Sequence, residues 1–573
     1  MSLQFITGNS GNGKTKYLFN RIVKEAKANP RDNYLVIVPE QFTMQTQRQL
    51  VDLSENKVIM NIDVLSFKRL AYRVFDELGI TNLTVLEETG KNLVLRKLAA
   101  QEADKLGVIG RNLNRIGYIS EVKSLLSELV QYNISPEELG RYIASGRLSD
   151  TLSDKLKDVL VLYEAFEKFM QDKYITAEEI LNVLSNVAEE SAILRNSVIA
   201  FDEFTGFTPI QNQLIKKLFV ISKKIYVTLT IDCREDIFKS RGMQELFDMP
   251  KRTVKSLTEM AAFYGIEVEE PIILDKNYRL AENEELSFME QQLFRKRRCS
   301  FKKVPKHIHI DCLRDPKQEL TKIARRINEL VRNENLRYRD IAIVTGDVNI
   351  YAGYVREIFD KYNIPYFIDA TQEILFHPFI EFIRSIPDIA AQNFSADAVF
   401  RFLRCGFSEL LDSEIDVLEN YVLACGVRGK SAWDKKWVRL PKHKAGYDLE
   451  LLNQSREYIM EMLKPVYQVF SDKKSTVKDY VLTIYKLIVL LDIPDKLAKK
   501  EQALLDAGDQ TASKEYGQIY KIVMQLFEKY VAVLGDECMD AEEFTQILDA
   551  GLDAADVAVI PPGYDTVTIG DIE

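Results

Sequence analysis

Eight residues near the start of the chain, Gly8-Asn9-Ser10-Gly11-Asn12-Gly13-Lys14-Thr15, match the pattern G-x-x-x-x-G-K-[S/T] in full. Glycines let such a loop curl until its backbone N–H groups converge on phosphate oxygens, where side chains would block the approach. Lys14 is then expected at the β- and γ-phosphates of a nucleoside triphosphate and Thr15 on Mg2+, with a following helix adding its positive N-terminal end. Roughly 0.02 such matches arise by chance in 573 residues when glycine is about 7% of composition. An ordinary glycine-rich turn is therefore a poor alternative.

A phosphate loop needs an acidic anchor for Mg2+ at the end of a neighbouring buried strand. Ser197-Val-Ile-Ala-Phe-Asp202-Glu203 is an apolar run ending in two carboxylates. Asp202 is expected to bind the Mg2+ shell and Glu203 to polarise an attacking water; without the loop, the pair would read as a strand end. The third element is Leu274-Asp-Lys-Asn277-Tyr278-Arg279, whose arginine lies 76 residues beyond Glu203. In isolation it reads as a surface or capping residue, and with the loop it becomes a γ-phosphate finger.

These residues need a scaffold, and the hydropathy pattern supplies one. Short β-branched runs at 3–7, 34–39 and 58–67 alternate with helix-period sequence, the βαβ rhythm of a parallel sheet. From about 87 to 195 the pattern is helical. Strands return at 197–204, 224–232, 307–313 and 341–346, followed by a second helical stretch from about 377 to 556 and a last apolar alternation ending the chain. A sheet interrupted by helical insertions fits better than a row of separate domains.

Composition bounds the partners. The chain is 46% hydrophobic and 28% charged with net charge −10, which excludes a disordered chain. Eleven acids and no Lys or Arg fall in residues 536–573, leaving the remaining 535 residues at +1. The charge therefore does not exclude a nucleic-acid partner. Basic residues cluster at Arg295-Lys296-Arg297-Arg298 with Lys302, Lys303 and Lys306, and again at Arg428, Lys430, Lys435, Lys436, Arg439, Lys442 and Lys444 around Trp433 and Trp437. Lys435 and Lys436 with the two indoles form a candidate single-strand contact, against the alternative of a solvated face. The longest apolar stretch, Tyr480–Leu491, is broken by Lys486, so no membrane span is expected. The start carries no basic, apolar leader, and the six cysteines form no CxxC pair, an expectation of reduced thiols in a cytoplasm. His307 and His309 read as one strand face rather than a metal site.

The glycine-rich loop, the Asp-Glu strand and the LxxNYR run resemble superfamily 1 helicases of the UvrD-like group. TGNSGNGKT, YLVIVPEQFTMQTQ (34–47), DVLSFKRLAYRVFDELG (63–79), VIAFDEFTGFTPIQ (198–211) and residues 336–369 resemble more narrowly the B subunit of AddAB-type (RexAB) ATP-dependent helicase–nucleases. The resemblance implies an α/β fold of RecA-like P-loop domains with large helical insertions. The first domain would comprise 1–86 and 196–290 with insertion 87–195, and the second 291–376 and 557–573 with insertion 377–556. It implies bound ATP and Mg2+, an A-type partner in a heterodimer, and work on double-strand DNA ends in repair and recombination. Gly8 to Thr15 would hold the nucleotide, Thr15 and Asp202 the Mg2+, and Glu203 and Arg279 would act in catalysis. Val64-Leu65-Ser66-Phe67 sits where related helicases touch single-stranded DNA, making Ser66 and Lys68 phosphate-contact candidates.

Family members are about twice as long, and their second half adds a nuclease domain tied by a 4Fe-4S cluster. No residue pattern here matches that half, so an N-terminal fragment without a nuclease site is expected. Two departures bear on the motor. Where related helicases carry GDxxQ, this chain reads Ile231-Asp-Cys-Arg-Glu-Asp236, without glutamine. Only seven residues precede Gly8, leaving no adenine-reading Q motif. A subunit with a weak or silent motor is the expectation; a self-sufficient helicase and a P-loop protein unrelated to DNA stay open.

Overall fold

Seven parallel strands form the sheet that carries the glycine-rich loop. The computed structural model describes residues 1–55, 57–81, 85–108, 118–146, 148–171, 174–295, 299–369, 372–373, 376–441, 447–507, 509–553, 556–557 and 565–572. Packing divides the chain into two units, Met1–Glu87 with Val122–Ile310, and Glu88–Glu121 with Asp311–Glu573.

In the first unit the strands are β1 (Ser2–Gly8), β2 (Tyr34–Ile37), β3 (Ile62–Leu65), β4 (Val85–Leu86), β5 (Ile175–Thr176), β6 (Val198–Phe201), β7 (Lys224–Thr230), β8 (Glu267–Val268) and β9 (Ile272–Leu274). The main sheet runs β3-β2-β6-β7-β1-β8, with β9 also paired to β1, while β4 and β5 form a separate parallel pair. Strand residues sort by parity into two cores. Ile6, Tyr34, Val36, Val198, Ala200 and Tyr226 meet α1 (Lys14–Ala28) and α2 (Thr43–Leu53) on one face. Leu3, Phe5, Leu35, Ile37, Ile199, Phe201, Ile225, Val227 and Leu229 meet α3 (Phe67–Leu78) and the helices Ile180–Val187, Pro209–Ile221 and Asp248–Phe263 on the other. Covering both faces is why these strands read as near-continuous apolar runs. Each fully buried aliphatic or aromatic side chain contributes about 1.5–3 kcal/mol.

Local signals fix where the helices start. Thr208 and Gln211 form a capping box ahead of Pro209, and Ser66 accepts a hydrogen bond from the Arg69 N–H at 3.2 Å to open α3, which stops at the left-handed Gly79.

In the second unit, β10 (Ala342–Thr345), β14 (Val567–Asp571) and β11 (Tyr366–Ile368) make a parallel sheet in that order; β12 (Gln372–Glu373) and β13 (Asp556–Val557) pair antiparallel. The helices Pro316–Asn333 and Val348–Lys361 cover the sheet through Leu320, Ile327, Val355 and Phe359 against Val567 and Ile569. A larger helical core gathers residues from 379 to 552 together with Leu93.

Two expectations change. The helical stretch 87–195 does not pack as one insertion: residues 88–121 belong to the second unit and 122–195 to the first. Helical periodicity locates an apolar face but not its partner, and the face carrying Leu93 joins the core of the helices Gln510–Leu534 and Ala541–Asp553. The segment 307–313 alternates like a strand yet is irregular, with Ile310 93% exposed; alternation without a neighbouring strand makes no ladder. No described helix is long and apolar enough to cross a membrane.

Candidate nucleotide-binding site

The glycine-rich loop leaves the C-terminal end of β1, and the acid pair leaves β6, two places away with β7 between them. In parallel sheets this edge is where ligands bind, because the following helices point their N-termini at it. Gly13, at φ 79°, sits at the cap of α1, so no side chain occupies the first-turn amides and they stay directed at the cavity. At Gly11, φ 87°, an added Cβ would lie 2.8 Å from Asn277 Oδ1 and 2.9 Å from Arg279 Cβ. Glycine there meets two demands, a left-handed backbone and close approach of another segment.

That segment is the LxxNYR run. The Gly11 carbonyl accepts from the Tyr278 and Arg279 N–H groups at 3.0 and 3.3 Å, the Ser10 carbonyl accepts from Asn277 Nδ2 at 3.0 Å, and Asn12 Nδ2 donates to the Leu274 carbonyl at 2.6 Å. Asn9 braces the other side, accepting from the Cys233 N–H at 2.9 Å and donating to Glu290 at 2.8 Å. Neither brace is visible in the loop motif itself.

Lys14 Nζ donates to the Asn9 carbonyl at 3.0 Å. Burial pushes its pKa below the ordinary value; the Arg279 charge acts in the same direction, and Glu203 and Asp202 oppose it. The Thr15 hydroxyl lies 3.1 Å from Glu203 Oε1 and 3.4 Å from Asp202 Oδ1. Asp202 is 1% exposed, and burial pushes its carboxyl up to about 6, with the Glu203 charge adding to the push and hydrogen bonds from Thr228 and Thr15 opposing it. Its Oδ2 is buried without a hydrogen-bond partner. Glu203 holds a left-handed backbone, φ 64°, a costly conformation for a non-glycine residue that places backbone strain beside the acid pair.

Lys14, Thr15, Asp202, Glu203 and Arg279 line one cavity of about 780 Å3. A hydroxyl, one orphaned buried carboxylate oxygen and a second acid are hard oxygen donors suited to Mg2+, an ion that completes its shell with water and phosphate. Among the described residues no group of three or more His, Cys, Asp or Glu forms a self-sufficient metal site. Thr228, which donates to Asp202 from β7, is a site residue that no sequence motif marks. Its signal, a threonine inside an apolar strand, is too common to single out.

The expected DNA contacts fare unevenly. Lys68 is exposed at the start of α3, beside Ser66, which is 5% exposed with its hydroxyl engaged by Glu40 while it caps the helix. Lys435 and Lys436 are exposed, but the stacking role expected of Trp433 and Trp437 is corrected: they are 0% and 6% exposed, packed 5.2 Å apart in the helical core. Their area is worth more against Phe394, Phe400 and Tyr421 than in water. Arg295 is not a free cation, since it pairs with buried Asp232 at 2.9 Å. Lys296, Arg297, Arg298, Lys442 and Lys444 lie outside the described residues. Asp232, in the stretch that stands in place of GDxxQ, is held at about 2: burial opposes its charge, but hydrogen bonds from Arg234 and the charges of Arg234 and Arg295 prevail.

Residues 5–290 match the family described as ADDB, N-terminal. Over its whole length the chain is 38% identical to the B subunit of the ATP-dependent helicase/deoxyribonuclease of Lachnoclostridium phytofermentans, covering 51% of that protein. It is 32% identical to the corresponding B subunit of Clostridium acetobutylicum and 31% to that of Clostridioides difficile, with all of this chain and 50% of each relative covered. The chain spans about half the length of the curated relatives it matches.

Proposed function

Because this chain belongs to the family of ATP-dependent helicase/deoxyribonuclease B subunits, we propose that it is the nucleotide-binding, helicase-like part of a heterodimeric helicase–nuclease that processes double-strand DNA ends. In this reading both sheets are RecA-like domains of the UvrD type, and the A-type partner supplies most of the translocation. The observation that carries the reading is the convergence of Lys14, Thr15, Asp202, Glu203 and Arg279, drawn from three distant segments, on one cavity at the C-terminal edge of the sheet.

Within it, the loop amides and Lys14 would bind the β- and γ-phosphates, and Thr15 and Asp202 would hold Mg2+, whose charge offsets that of the phosphates when bound. Glu203 would orient the water and Arg279 would lie against the γ-phosphate. Lys68, Lys435 and Lys436, all exposed, would meet single-stranded DNA.

Titration with Mg·ATP tests this directly. Wild-type chain should bind, and Lys14→Ala should lose at least about 1.5–3 kcal/mol of binding, the worth of a charge-assisted contact. Unchanged binding by Lys14→Ala would reject the site. A second reading, a self-sufficient helicase, is disfavoured because Asp232 is neutralised by Arg234 and Arg295 and the stretch 231–236 offers no amide side chain to couple nucleotide to DNA. Strong DNA-stimulated hydrolysis by this chain alone would reverse that judgement.

A further inference from the structure

Helix α2 lends one face to the nucleotide cavity. Gln45, Thr46, Gln49 and Leu53 line it together with Phe42 at the helix cap, a stripe at helical spacing. Leu50 is fully buried in the core that α2 shares with the sheet, so the flank carrying Gln45 has a fixed direction. Both glutamines are exposed, and neither side-chain amide has a hydrogen-bond partner among the described residues.

Sheet order says which part of a bound nucleotide this flank meets. β2, which feeds α2, is the neighbour of β6, which ends at Asp202 and Glu203; β1 and its loop lie on the far side of β6, beyond β7. Moving along the edge from the loop, one crosses the acid pair and then reaches α2. Residues 274–279, which carry Arg279, brace the loop from its β9 side. α2 therefore borders the Mg2+ and terminal-phosphate side. Its first turn, at Thr43–Thr46, lies at the same sheet edge as the loop, and its positive end favours an anion there, whereas Asp52 at the far end of the stripe does not.

Resting on the nucleotide reading above, we propose that Gln45 reads the terminal phosphate of the bound nucleoside triphosphate, its carboxamide N–H donating to a γ-oxygen. An amide on α2 would then supply a contact that the stretch 231–236 cannot.

The test is isothermal titration of the chain, in Mg2+, with ADP and with a non-hydrolysable ATP analogue. Gln45→Ala should keep ADP affinity within about twofold and weaken the analogue about tenfold, as for loss of one charge-assisted hydrogen bond. Gln45→Glu should weaken the analogue further by setting a carboxylate against the phosphate, and Gln47→Ala, exposed on the same helix but outside the cavity, should change neither. Equal loss for both ligands, no loss for either, or the same selective loss in Gln47→Ala would overturn the assignment to Gln45. Lys14→Ala separates the two claims. If wild type binds both ligands in a Lys14-dependent way and Gln45→Ala does not discriminate, only this inference fails; if wild type binds neither, the nucleotide reading fails and takes this one with it.

Discussion

Asp202 combines two demands that oppose each other. A carboxylate at the end of a buried strand is suited to a divalent cation, yet burial lifts its pKa from 3.8 to about 6. Between those values the folded chain holds a proton that the unfolded chain releases, so Asp202 makes stability fall as pH rises through about 4 to 6, by about 3 kcal/mol in all. Asp202→Asn should remove that dependence and raise the urea midpoint at pH 7 while eliminating Mg2+-dependent nucleotide binding. A midpoint lowered at pH 7 would show that the carboxylate is not a stability cost. The loop, the acid pair and the arginine were legible as residue types at characteristic spacing. Thr228 and the Asn9 brace were not, because each is one ordinary side chain whose partner lies at least 26 residues away.

At the scale of elements, caps and aromatic contacts decide how the site is held. Phe67 at the start of α3 stacks 5.8 Å from Phe201 and meets Phe204 and Phe207, tying the helix to the loop after the acid pair. Phe67→Ala should cost about 3–5 kcal/mol in urea unfolding, the usual range for an aromatic removed from a packed core. His377 caps the helix Pro378–Ala391, its Nδ1 accepting from the Phe379 N–H at 3.1 Å, and burial pushes its pKa from 6.5 to about 4. Here the unfolded chain binds the extra proton, so the contribution is full above about 6.5 and is lost as pH falls towards 4, about 3 kcal/mol at most. His377→Asn keeps a capping oxygen but cannot titrate, so the difference in its unfolding free energy between pH 7 and pH 4.5 should shrink; an unchanged difference would assign acid lability elsewhere. Strands β1, β2, β6 and β7 were readable because both faces are apolar. The strand expected at 307–313 failed for the complementary reason, since local alternation does not provide a ladder partner.

For the whole molecule the main surprise is how the chain is shared between its two units. The helix Glu88–Gln101 follows directly on the first unit in sequence, yet Leu93 is 1% exposed in the second unit's core, and Arg96 donates to Gln546 at 2.8 Å. Leu93→Ala should cost about 2–5 kcal/mol. Amide hydrogen exchange should then rise in the helices Gln510–Leu534 and Ala541–Asp553 while β1 and β6 keep their protection; loss of protection in β1 instead would contradict this division. The sequence by itself determined the phosphate-loop and acid-pair motifs and the alternating architecture, because a phosphate loop and a buried parallel strand each require particular residue types over a few neighbouring positions. Only the tertiary structure decided which apolar faces meet, that Trp433 and Trp437 are core rather than surface, and that α2 borders the cavity. Those outcomes depend on contacts between residues far apart in the chain, which short-range pattern does not encode.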